Sequence, residues 1–84
     1  MPKGQMTAEE LIALYADDSR HSNALRYEIR RAPMAEIIRL AYGEHSNPPL
    51  AGAPDALASQ AYDEMERRER AANALRAELA NRHV

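Results

Sequence analysis

The sequence contains no cysteine, no phenylalanine and no tryptophan, and only three of its 84 residues are glycine. Without cysteine there is no disulfide framework and no thiolate metal site. That fits a reducing compartment. No apolar run reaches membrane-spanning length and no signal-peptide core follows the start, so a cytoplasmic protein without a membrane role is expected. Without the two largest apolar side chains, the core must come from eight Leu, four Ile, four Met, four Tyr, one Val and 17 Ala. Alanine favours helix but adds little buried area. A chain this short is marginal alone, so closely packed helices are expected, helped by a partner or a second copy.

The chemistry-bearing motifs are missing too. The glycines (Gly4, Gly43 and Gly52) are isolated, so no phosphate-cradling loop exists. His21, His45 and His83 fall in different parts of the chain. Asp18 and His21 have metal-ligand spacing, but no further ligand accompanies them. Ser19, Ser22, Ser46 and Ser59 sit in capping, helical or loop contexts rather than a nucleophile elbow. Asp63, Glu64 and Glu66 point in different directions on one helix, each with an arginine one turn on. The expectation is a non-catalytic chain with no cofactor and no metal.

What is present reads as helix. Residues 1–6 lack periodicity and form a flexible end. Thr7-Ala8-Glu9-Glu10 has the pattern of a capping box, opening a helix over 7–17. Asp17-Asp18-Ser19 then favours a break, with Asp18 or Ser19 capping a second helix over 19–31; one continuous bent helix is the alternative. Pro33 interrupts that helix and opens a third over 33–42, with Met34, Ile37, Ile38 and Ala41 as its apolar face. Gly43 stops it, and residues 43–53 form a loop that Leu50 can pin to the core. Pro54 opens a last helix over 54–82, roughly 40 Å long at 1.5 Å per residue. Acid–arginine pairs at i, i+4 support it: Asp63–Arg67, Glu64–Arg68, Glu66–Arg70 and Glu78–Arg82. The fold class is therefore all-α: three short N-terminal helices packed against one long C-terminal helix, within a single helical domain over 7–84.

The last helix carries a heptad-spaced seam of Ala58, Ala61, Met65, Arg68, Ala72, Leu75 and Leu79. Met65, Arg68, Ala72, Leu75 and Leu79 are the expected dimer seam, with Arg68 facing a carboxylate, Glu64, of an antiparallel copy. Asn23-Ala24-Leu25-Arg26-Tyr27-Glu28-Ile29 repeats as Asn73-Ala74-Leu75-Arg76-Ala77-Glu78-Leu79, identical at five positions.

Net charge is −2, but charge alternates in blocks along the chain. Residues 1–18 and 44–66 are acidic; residues 19–43 and 67–84 are basic, almost wholly through arginine. Arg67, Arg68 and Arg70 are the densest cationic cluster for an acidic partner. Arg26, Arg30, Arg31 and Tyr62 complete the expected partner-binding set, since arginine and tyrosine favour interfaces. Four tyrosines exceed what so small a core can hold with every hydroxyl satisfied, so one or two are expected outside it. Protein binding is the leading expectation, with a helix-turn-helix over the basic segment 20–39 as the alternative. The acidic pI and the missing turn glycine make nucleic acid the weaker choice. The size, the Arg/Ala-rich composition and the lack of catalytic motifs resemble small accessory proteins of phages or mobile elements. That resemblance implies a stoichiometric inhibitor or scaffold and transfers no residue roles.

Overall fold

A computed structural model describes residues 4–17 and 23–82. They form four α-helices: α1 (Ala8–Asp17), α2 (Asn23–Arg31), α3 (Met34–Tyr42) and α4 (Asp55–Asn81). No strand occurs among the described residues. The architecture is the expected one, three short helices against one long one. The expected cap at Asp18 or Ser19, and the question of whether the first two helices are continuous, fall on residues 18–22, outside the described residues.

The starts of α1, α3 and α4 have local causes. At α1 the capping box is reciprocal: the Glu10 N–H donates to Thr7 Oγ1 at 3.2 Å, and the Thr7 N–H donates to Glu10 Oε1 at 3.0 Å. The two prolines act one residue earlier than expected. Pro33 and Pro54 are N-caps in extended conformation (ψ 145°), not first helical residues. Their carbonyls accept the first bonds of the helix, from the Ile37 N–H at 3.1 Å and the Ala58 N–H at 2.9 Å. Gly43 ends α3 with φ +53°, a conformation that penalises any side chain. The 3₁₀ turn Gly43–His45 follows. Ser46, buried, closes the turn by donating to the Gly43 carbonyl at 2.6 Å, and the loop includes a cis Asn47–Pro48 bond. Leu50 does pin the loop: it is buried, and its N–H donates to the Gly43 carbonyl at 3.0 Å.

The core is Leu11, Leu25, Ile29, Ile37, Leu40, Leu50 and Leu57, with alanines 8, 32 and 61 where backbones approach closely. Gln5 and Met6 attach the N-terminal stretch to this fold. Gln5 Nε2 donates to the Arg31 carbonyl at 2.7 Å, and Met6 lies against the core.

The face of α3 differs from the expected stripe. Ile37 is buried, but its partner is Leu40, with Ala41 half-buried; Met34 and Ile38 stay exposed at 40% and 37%. The expected and the buried sets each span about 100° of arc, but the buried one is rotated by about 60°. Turning at 100° per residue, a helix puts Met34 and Ile38 on one flank and Ile37 with Leu40 on the face toward α4, the helix α3 contacts most.

Arg39 ties three parts of this fold together. Its guanidinium donates to Glu9 at 2.6 and 3.0 Å, to Glu36 at 3.0 Å and to the Pro48 carbonyl at 3.3 Å. Glu36 also accepts from the Ala8 N–H at 2.9 Å. The Arg39 hydrogen bond holds the Glu9 carboxyl below the usual carboxylate range, and the same contact raises the arginine.

Candidate interaction surface

The inner half of α4 is docked and the outer half is not. Leu57, Ala61 and Glu64 are buried; Met65, Arg68 and Ala72 are half-buried. Past Ala72 every described residue is exposed, including Leu75 at 56% and Leu79 at 46%. These leucines continue the face that carries Leu57 and Ala61, so the core-forming stripe runs on beyond the elements that cover it. The repeated heptapeptide makes the contrast plain. Leu25 and Ile29 of α2 are buried, whereas the equivalent Leu75 and Leu79 are open.

Arg68 finds its carboxylate within its own chain. Its Nε donates to Glu64 Oε2 at 2.7 Å, and Arg67 reaches both Glu64 oxygens at 3.0 and 2.8 Å. One Arg68 terminal nitrogen also reaches the carbonyls of Ile29 (3.2 Å), Arg30 (2.9 Å) and Ala32 (2.8 Å). These carbonyls lie at the C-terminal end of α2 and just past it, where intrahelical partners run out; the Ile29 carbonyl also accepts from the Ala32 N–H at 3.3 Å. Burial pushes the Glu64 carboxyl up, but the Arg67 and Arg68 hydrogen bonds outweigh it and hold it low.

The other expected contact residues divide between two flanks. Arg26, Arg30, Arg67 and Arg70 line one groove of about 640 Å³ between α2 and α4. Of these, Arg67 is held by Glu64, and Arg70 lies 3.8 Å from Glu66. Arg26 and Arg30 make no ion pair among the described residues. Arg31 turns aside: it sits 5.5 Å from the Tyr27 ring and 3.7 Å from Glu28. Tyr62 is on the opposite flank, edge-on to Tyr42 with ring centroids 6.4 Å apart. Tyr27, Tyr42 and Tyr62 are all exposed, one more than expected. The pair joins Tyr62, expected at an interface, to Tyr42, which the sequence alone does not bring beside it.

The described part of the basic segment, residues 23–39, does not present one face. Arg39 is taken up by Glu9 and Glu36, Arg31 by Tyr27 and Glu28, while Arg26 and Arg30 look toward α4. No group of three or more His, Cys, Asp or Glu side chains is placed to hold a metal among the described residues, and Asp18, His21 and His83 lie outside them. No described helix is long and apolar enough to cross a membrane. Comparison with protein-family models, with curated proteins and with solved structures finds no match for this chain.

Proposed function

We propose that this chain is a non-catalytic helical binding module that acts by stoichiometric contact with protein, inhibiting or scaffolding what it holds. The observation that carries the reading is the outer segment of α4, where Leu75 and Leu79 extend a core-type stripe with nothing over it. The natural cover is another helix, laid along the stripe as α2 is laid within the bundle. A second copy can supply it, since each chain carries the same stripe, and a two-fold axis lets each outer segment cover the other.

Magnitudes decide how strong such a dimer is. Full burial of a leucine contributes roughly 1.5–3 kcal/mol, and these two are already about half covered. Four half-covered leucines contribute roughly 3–6 kcal/mol, against an association cost of about 4 kcal/mol or more. The homodimer is therefore weak and concentration-dependent, and a longer partner helix competes well for the stripe. Sedimentation velocity over a concentration series tests this. Mass should rise with concentration and stay monomeric in Leu75→Glu/Leu79→Glu, with helicity unchanged. A monomer throughout, with the double variant losing thermal stability instead, would place the two leucines in an internal core and sink the reading.

A further inference from the structure

We infer that the groove between α2 and α4 is a second contact site, built to take an acidic polypeptide segment, preferably helical. The inference shares with the proposed function only the premise that the chain binds protein; it uses different residues from the Leu75–Leu79 stripe.

Arg26 and Arg30 are four residues apart on α2, a rise of about 6 Å, and Arg67 and Arg70 are three apart on α4, about 4.5 Å. Both rows line the same groove. Two guanidinium pairs, each at one-turn spacing, thus flank one channel. Carboxylates at i, i+4 or i, i+3 on a partner helix lie about 5–6 Å apart and match that spacing. Arginine forks suit carboxylates by bidentate geometry, as Arg67 already shows on Glu64.

Arg26 and Arg30 are exposed and make no ion pair among the described residues, and Arg70 is 72% exposed with only a 3.8 Å contact to Glu66. These groups remain hydrated until a partner arrives. Arg67, by contrast, is fixed in place by a buried carboxylate and gives the groove a rigid wall.

Carboxylates in the groove favour polypeptide over nucleic acid. Asp63 and Glu64 share the groove with the four arginines. A uniform polyanion would meet Asp63 with a phosphate; a peptide can leave a neutral or basic residue there. Tyr27, exposed at the rim, and half-buried Gln60 offer apolar contact and an amide for a peptide backbone.

The test uses the full chain and a fluorescein-labelled helical peptide with glutamates at i, i+4 along one face, followed by fluorescence anisotropy at low and physiological salt. A lysine version of the peptide and a short DNA duplex serve as comparison probes. Saturable binding of the glutamate peptide alone is expected. Arg26→Gln/Arg30→Gln should weaken it about tenfold, whereas Arg76→Gln/Arg82→Gln, equal in charge but outside the groove, should change it far less. Leu75→Glu should leave peptide affinity unchanged, so failure of the α4 stripe and failure of the groove read separately. Equal loss in both double variants, tighter binding of the duplex, or no saturable binding of the glutamate peptide would each overturn the inference.

Discussion

Arg68 shows how one residue changes meaning between sequence and structure. On the seam of a lone helix it is a misplaced charge; in the fold it caps a different helix. A helix end leaves carbonyls without partners and concentrates negative potential there, and a guanidinium answers both. Glu64 holds that guanidinium in place from one turn away. Replacing Arg68 by Met should therefore cost about 2–3 kcal/mol, because it strands the α2 carbonyls and leaves a buried carboxylate with one partner. Arg68→Lys should recover only part of this, since one ammonium cannot serve Glu64 and three carbonyls together. Urea midpoints measure both; equal stability of all three proteins would mean the α2 carbonyls are satisfied by water. Glu64 adds a pH signature. Its folded carboxyl sits below the unfolded value, as does that of Glu9. The stabilisation is thus fully present above the unfolded carboxylate pKa of about 4.3, and is lost as pH falls through the folded value. Glu64→Gln should be less stable at neutral pH and lose less stability on acidification. A parallel pH profile for the two proteins would show that Glu64 does not titrate with folding.

At the scale of elements, punctuation was legible and azimuth was not. Thr7 with Glu10, the two prolines and Gly43 each have a local mechanism acting within a turn, so the starts and stops they imply lie within about a residue of those observed, while the expected start at 19 falls outside the described residues. Which way a short helix faces depends on what covers it, and that is tertiary information. Helix α3 illustrates the difference: four apolar residues fitted a helical face, yet only Ile37 among them is fully buried. The contrast makes a sharp pair of substitutions. Ile37→Asp puts a charge where no water reaches and should cost at least about 3 kcal/mol, abolishing cooperative unfolding. Ile38→Asp, one residue on, should cost under about 1 kcal/mol. Thermal melts by circular dichroism compare them directly, and similar losses in the two would mean that α3 is rotated from the orientation described here. The groove was half legible in the same way. Its arginines were identifiable as unusually dense charge, but only the packing of α4 on α3 and beside α2 brings Arg26 and Arg30 to the row of Arg67 and Arg70. Tyr62 and Arg31, grouped with them on composition, point elsewhere for want of that geometry.

At the scale of the molecule, the outer segment of α4 sets the shape. The chain measures 51 × 31 × 25 Å with a radius of gyration of 14.8 Å. A compact chain of this length would have about 12 Å. Residues beyond Ala72, about 15 Å of helix on which every described residue is exposed, contribute to that excess. That stretch is helical because it grows from the docked turns of Leu57–Arg68, which supply the nucleus a ten-residue peptide lacks in water. It should fray from its free end. Amide hydrogens beyond Ala72 should exchange with solvent well before those of the docked half, whose opening requires loss of the core. Truncation after Ala72 is the decisive form of the same prediction. It removes Leu75 and Leu79, which contribute little to the core, and leaves the Arg68–Glu64 cap and every fully buried residue in place. The shortened chain should keep its melting temperature within about 5 °C, scatter X-rays with a radius near 11–12 Å, and no longer self-associate at high concentration. If the melting transition collapses instead, or the radius fails to contract, the outer segment folds back on its own bundle in solution, and the open stripe on which the binding function rests does not exist.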